Sequence, residues 1–310
     1  MRIAFFGSGG VGGYFGGRLA ASGADVAFIA RGAHLEALRT RGLRIVSPKG
    51  DVHVPRVAAA ERPADIGPVD VVCFAVKMYD ADAAAATLSP LVGPHTVVIP
   101  FQNGVESVDI LSRHLPTANV AGGVAYITAV ITEPGVIRHT VMDQVIFGEI
   151  DGRRSPRLEQ LLELCLRAGF QARLSEHIRT DIWSKFVRLA AFSGMTAVTR
   201  SPVGVVREDP DLQAMSEAAW REGLEVARAC GVTLPSTTIE EIRTMWMSMS
   251  PPAKSSMLED LERGRRLELP WLSGAMVRLG DAHGVPTPVH RFIATVLKPH
   301  AHAAPATHRP

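Results

Sequence analysis

Cysteine is scarce in this 310-residue sequence: Cys73, Cys165 and Cys230 are far apart, odd in number and flanked by apolar residues. That excludes a disulfide framework, and the spacing matches no metal site; the three read as buried thiols in a reducing compartment. Excess charge is also missing. Lys and Arg total 33 against 31 Asp and Glu, a formal +2, which excludes a strongly basic nucleic-acid surface as the main theme. The small basic clusters RTRGLR (39–44) and GRR (152–154) read as solvated faces. Long hydrophobic runs are lacking too. The longest uncharged one, Val120–Ile131, falls short of the ~18 residues that span a bilayer. The N-terminal apolar stretch, Ile3–Phe6, is broken by glycine well before the roughly 7–15 residues of a signal-peptide core. The chain therefore reads as cytoplasmic, with no nucleic-acid or membrane partner. What it has is apolar material, 46% of residues, and length for two domains at about 150 residues each.

RIAFF, GSGGVGG and YFGGRLAASG read in succession as strand, tight turn and helix, and DVAFIAR (25–31) and RGAHLEALRTRG as the next strand and helix. LRIVSP and DVHVPRV, separated by Lys49-Gly50, form a short hairpin insertion. DVVCFAVK (70–77) and TVVIPFQNG (96–104) are continuous apolar runs ending in polar residues, as expected of parallel strands buried on both faces with ligand groups at their carboxyl ends. Alternation of strand and helix predicts an α/β, doubly wound Rossmann-type sheet. From about Val120 short strands are expected, with Glu133-Pro134-Gly135 as a turn, and after SPRLEQLLELCLRAGF the chain reads as all-helical. The boundaries drawn are 1–175 for a dinucleotide-binding domain and 176–300 for a helical catalytic domain. Residues 301–310 read as a low-complexity, unstructured tail rather than a histidine metal site. The methionine-rich MWMSMSPP reads as helix core.

Gly7-Ser8-Gly9-Gly10-Val11-Gly12 fits G-x-G-x-x-G directly after a strand and at the start of a helix. There the glycines serve a tight turn, close backbone approach to a pyrophosphate, and helix–strand packing. The helix N-terminus adds unpaired N–H groups for the phosphates. A site selecting NAD usually has an acid at the end of the second strand. Here that place holds Arg31, whose guanidinium suits a 2′-phosphate, so NADP(H) is the expected cofactor.

Lys77 and Asn103 both follow apolar strands at the edge where a nicotinamide would lie; alone, the first reads equally as a solvated lysine and the second as a turn residue. Lys185 sits among Trp183, Phe186, Val187 and Leu189 in DIWSKFVRLAAF. It either snorkels outward or projects into a cleft as a proton donor with a lowered pKa. Glu268 in GRRLELPWLSG is an acid amid apolar residues that reads, by itself, as an exposed helix residue.

Over nearly its whole length the chain resembles the ketopantoate reductase (2-dehydropantoate 2-reductase) family. The resemblance rests on GSGGVGG, Arg31 in ARGAHLEAL, Lys77 in AVK, Asn103 in QNGVE, Lys185 in IWSKF, and SSMLEDLERGRRLEL with Ser256 and Glu268. It implies that Lys185 is the general acid for the ketone oxygen of a 2-oxo acid and that NADPH is the hydride donor. It further implies that Ser256 holds the substrate's polar end, that Asn103 bridges nicotinamide and substrate, and that Glu268 orients the lysine and contacts the cofactor. The sequence departs from the family where asparagines usually grip the substrate. Leu189 and Ser193 stand there, on the helix face of Lys185, and Val203, Pro270 and Ser273 replace other polar family residues. Three functions stay open: NADPH-dependent reduction of ketopantoate to pantoate in pantothenate biosynthesis, reduction of a more apolar 2-oxo acid or ketone, and a non-catalytic NADP(H) sensor. The expected assembly is a monomer or homodimer.

Overall fold

The structure, a computed structural model, describes residues 1–302; the rest of the expected tail, 303–310, lies outside the described residues. The chain divides into two compact units. One comprises Met1–Gln102 and Glu106–Asp181, the other Asn103–Val105 and the chain from Ile182 onward.

In chain order the elements of the first unit are β1 (Arg2–Phe6), α1 (Gly10–Ala21), β2 (Asp25–Ile29), α2 (Gly32–Arg41), β3 (Leu43–Val46), β4 (Val52–Val54), β5 (Ala58–Ala60) and β6 (Val69–Phe74). They continue with α3 (Met78–Ala85), β7 (Val92–Pro100), α4 (Ser107–His114), β8 (Ala121–Glu133), β9 (Val136–Glu149), α5 (Pro156–Arg167), β10 (Gln171–Leu174) and the start of α6 (Ile178–Thr199). β1, β2, β5, β6 and β7 form a parallel sheet in the order β5-β2-β1-β6-β7. Its central strands are the continuous apolar runs, with Ile3 beside both Val26 and Val71 and all three buried. The order places β2 and β6 on opposite sides of β1, so the chain reverses its winding there, at the carboxyl edge where open α/β sheets bind ligands.

The strands after Val120 are not short. β8 and β9 pair antiparallel through the turn at Pro134-Gly135 and run 13 and 14 residues. β9 also pairs in parallel with β3 and β10, and β4 closes the hairpin with β3, making a second sheet. Helix α1 lies between the two sheets, and this accounts for glycines that the ligand motif does not. A Cβ on Gly16 would come within 2.8 Å of Phe28 and Phe5 of the first sheet, and one on Gly13 or Gly17 within 2.8 Å of Ile137, or of Ile45 and Leu43, in the second. Cys73 and Cys165 are buried in this unit, while Cys230 of the other is half-buried.

The second unit is helical: the rest of α6, then α7 (Val203–Glu208), α8 (Pro210–Ala229), α9 (Thr238–Ser248), α10 (Ser256–Glu262), α11 (Ser273–His283) and α12 (Pro288–Leu297). Its core gathers Phe186, Val187, Ala190 and Ala191 of α6 with Trp220 of α8 and Trp246 of α9, whose indoles meet edge-on at 5.5 Å. The methionine-rich stretch splits: Trp246 is buried while Met247 is exposed.

The compact units divide between Asp181 and Ile182, inside α6, a few residues past the boundary drawn near Ser175. The first turn of that helix stays with the first unit, because the Asp181 carboxylate accepts from the Ser175 hydroxyl and from Arg173. The expected unstructured tail does not begin at 301, since Ala301 is buried and its carbonyl accepts from the Leu267 N–H at 3.1 Å.

Candidate active site

In the first unit the glycine turn closes over the carboxyl end of β2. The Gly7 N–H donates to Ile29 O at 3.2 Å, and the buried Ser8 hydroxyl donates to the same carbonyl at 3.0 Å. Gly7 holds φ at +99°, and a Cβ there would meet the Ala75 backbone at 2.8 Å. One on Gly12 would lie 2.1 Å from Gly7 O, and one on Gly10 1.9 Å from Ala129 O. These three positions are closed by backbone. Gly9 differs, with nothing among the described residues within 4 Å of its Cβ position. It is the N-cap of α1, extended, with no side-chain cap and no acid in the first turn, and Val11, the second helical residue, is half-buried. The start of α1 thus has open space over a residue without a side chain, which fits the close approach of a diphosphate.

Arg31, two residues past β2, is the N-cap of α2. Its Nη2 donates to Asp80 Oδ2 at 3.1 Å. Lys77 is the N-cap of α3 and is exposed. Two residues of this unit had gone unnoticed in the sequence. His34 Nδ1 accepts from the Gly135 N–H at 3.1 Å, tying α2 to the β8–β9 turn, and burial lowers its pKa. Gln102, just after β7, has both carboxamide atoms buried without a partner among the described residues. An orphaned donor and acceptor pair is costly unless something completes it. Its adjacency to Asn103 was the only signal in the sequence.

In the second unit Lys185 Nζ donates to Asn103 Oδ1 at 2.9 Å. The lysine is half-buried on α6, between the buried Trp183 and Phe186. Desolvation, seconded by the Arg188 guanidinium one helical turn on, lowers its pKa to about 7, against the opposing pull of Glu268. Arg188, also missed in the sequence, donates from Nη1 to Met245 Sδ.

Glu268 is not an exposed helix residue: it is 6% exposed and opens the 3-10 turn Leu269–Trp271. The same turn braces the loop that carries Asn103, for Gly104 has φ +94° and a Cβ there would lie 2.9 Å from Trp271 O. Val105 packs on the helical core. On the lysine's helix, Leu189 is half-buried against that core. Ser193 is fully enclosed, its hydroxyl without a partner among the described residues. Ser256 is exposed at the first position of α10. Its neighbour Ser255 is buried as the N-cap of that helix, with its hydroxyl 2.7 Å from Thr196 Oγ1.

Residues 3–152 match the model of the ketopantoate reductase PanE/ApbA family, and 177–301 that of its C-terminal domain. The 2-dehydropantoate 2-reductase of Mesorhizobium japonicum is 32% identical, over 96% of this chain and 97% of its own. The chain belongs to the ketopantoate reductase family. This ketopantoate reductase relative is thus an oxidoreductase, with the Rossmann-type sheet and helical C-terminal part of its structural neighbours. A PanE/ApbA family ketopantoate reductase from Ralstonia eutropha superposes with a TM-score of 0.89 at 32% identity, covering 97% of this chain and 98% of that one. D-mandelate dehydrogenase, solved with NADH and anilino(oxo)acetate, shares the fold at a TM-score of 0.88 and 21% identity, over 97% and 98% of the two chains. No helix among the described residues is long and apolar enough to cross a membrane.

Proposed function

We propose that this oxidoreductase reduces a 2-oxo acid to a 2-hydroxy acid with NADPH, the named reaction being ketopantoate to pantoate in cytoplasmic pantothenate biosynthesis. The observation that carries the reading is the Lys185 ammonium, held at 2.9 Å by Asn103 and poised near neutrality. General acids work best with a pKa near the operating pH, and the lysine is enclosed enough for its charge to act strongly on a developing alkoxide.

The N–H groups around Gly9, the Arg31 guanidinium, Lys77 and the unpaired Gln102 carboxamide are the groups suited to hold the dinucleotide, with Arg31 taking the 2′-phosphate. When bound, a reduced nicotinamide supplies the hydride to the carbonyl carbon. Lys185 Nζ gives its proton to the carbonyl oxygen, which leaves as the hydroxyl of the product. Asn103 Oδ1 accepts one ammonium N–H and so orients the other two, one of which carries the proton that is given. Glu268 favours the charged lysine and so opposes the desolvation that would strip it. Ser256, exposed at the start of α10, is free to meet the substrate's carboxylate.

Leu189 favours a second reading on the same machinery, reduction of a more apolar 2-oxo acid. It puts hydrocarbon where a carboxamide would bind a substrate hydroxyl, and the Ser193 hydroxyl further along is enclosed and without a partner among the described residues. A non-catalytic sensor has no use for the Lys185–Asn103 pair. Turnover of NADPH and NADH with ketopantoate, 2-oxoisovalerate and phenylglyoxylate tests all three. Oxidation of NADPH by ketopantoate is the expected result, a clear preference for either other acid supports the second reading, and no oxidation with any 2-oxo acid would overturn the proposal.

A further inference from the structure

Arg31 leaves the end of β2 almost fully in solvent, its side chain 82% exposed, and its one hydrogen-bond partner among the described residues is the Asp80 carboxylate. Asp80 belongs to a different element. It is the third residue of α3, whose N-cap is Lys77, and it retains 38% side-chain exposure. The guanidinium suited to a 2′-phosphate is therefore already engaged by an acid brought to it from two strands away in the sheet. We propose that Asp80 is a specificity-determining residue: it occupies Arg31 and thereby restrains the preference for the 2′-phosphorylated dinucleotide over its unphosphorylated counterpart. The proposal rests on the cofactor reading above.

The physical argument has two arms. A 2′-phosphate must displace Asp80 from the guanidinium and then sit beside the displaced carboxylate, where like charges repel. An exposed ion pair is weak, so the displacement is feasible but not free. A ribose 2′-hydroxyl needs no displacement. It can donate to Asp80 as it does to the acid that ends the second strand in NAD-selective sites. The acid missing from the end of β2 is thus supplied from α3, a placement that sequence position could not reveal. Asp80 also lies in the first turn of α3, where a negative charge suits the helix dipole, so a stability measurement must accompany any substitution.

The test is direct binding of NADPH and NADH, each followed by calorimetry on the full chain, for the unmutated protein, Asp80→Asn, Arg31→Ala and the double variant. Asp80→Asn should tighten NADPH about fivefold to tenfold and leave NADH unchanged or weaker, because the freed guanidinium meets the phosphate without a competitor. The gain should fall below about twofold in the Arg31→Ala background, since the pair acts through one guanidinium. An unchanged NADPH-to-NADH affinity ratio, with melting temperature preserved, would overturn the proposal. So would weaker NADPH binding by Asp80→Asn, which would mean that Asp80 aims Arg31 at the phosphate, or a gain kept in full without Arg31. Failure of the unmutated chain to bind either dinucleotide would overturn the cofactor reading and this proposal with it, whereas binding at an unaltered ratio would overturn this proposal alone.

Discussion

In the first unit the proposed dinucleotide site begins with backbone, the start of α1 over a Gly9 that has no side chain, to which the side chains of Arg31, Lys77 and Gln102 are added. In the second the groups offered to a ligand belong to side chains, an ammonium and a carboxamide held together beside a helical core. A site made of backbone is damaged by adding atoms, and one made of side chains by removing them. The two should therefore respond to substitution in opposite ways.

The largest effect is expected from the side-chain site. Lys185→Ala should lower kcat about 10²–10⁴-fold while dinucleotide affinity, measured by equilibrium titration, stays within about twofold. Unchanged turnover would return the lysine to an ordinary half-buried cation.

The backbone site offers a sharper contrast within itself. Gly12→Ala would set a Cβ 2.1 Å from Gly7 O and should cost about 1–3 kcal/mol of stability, as overpacking does, seen as a lower melting temperature without any ligand. Gly9→Ala meets nothing within 4 Å. Its melting temperature should not move, while dinucleotide affinity falls by about tenfold, roughly 1.4 kcal/mol. If both variants lose only stability, the space over Gly9 is not a ligand site.

A smaller effect separates charge from position. Reduction needs the protonated ammonium, so kcat/KM should fall as pH rises through about 7. Glu268→Gln should move that midpoint down and Arg188→Met should move it up, because the glutamate favours the ammonium and the guanidinium opposes it. Stability runs the other way. Unfolded, the lysine keeps its proton to near 10.5, whereas the folded one releases it at about 7. Between those values the unfolded chain binds more protons, so stability rises with pH across the window. Lys185→Met should abolish that rise and stabilise the protein at neutral pH and below, a pH series of melting curves being the measurement.

The smallest effect concerns the substrate. With Leu189 in place, ketopantoate and 2-oxoisovalerate should differ in kcat/KM by no more than about tenfold, about 1.4 kcal/mol, because strong rejection requires site groups left unpaired. Leu189→Asn should shift the ratio toward ketopantoate. A thousandfold preference in the unmutated enzyme would show that other residues grip the substrate.

What was legible in the sequence follows the same divide. The parallel sheet could be read because buried strands are written as continuous apolar runs, and the glycine turn because its backbone demands sit at fixed spacing. The second sheet could not. β9 joins β3 and β10 across long sequence separations, and local pattern carries no record of distant pairing. The glycines of α1 were read toward a ligand, while Gly13, Gly16 and Gly17 face strands on either side of the helix. In the helical unit, apolar neighbours marked Lys185 as unusual but could not choose between solvent and interior. Glu268 read as exposed because an acid amid apolar residues is by default a solvated one, yet it is 6% exposed where it opens the 3-10 turn that follows. Arg188 and Asp80 carry no motif, and their contacts on other helices give them their place.

The three residues Asn103–Val105 leave the first unit and return to it within a few bonds. The boundary is therefore a graft rather than a cut. A C-terminal half transplanted from Ile182 onward would arrive without the carboxamide that holds its lysine and without the valine that packs on its core. Recombination between relatives at the α6 crossover would join a tripeptide from one lineage to the helical scaffold of another. Gly104 must meet the backbone of a turn more than 160 positions away (Trp271), so such chimaeras inherit a fitting problem that neither parent had. A transplant meant to keep the lysine's partner should therefore carry Asn103–Val105 along with the helical unit.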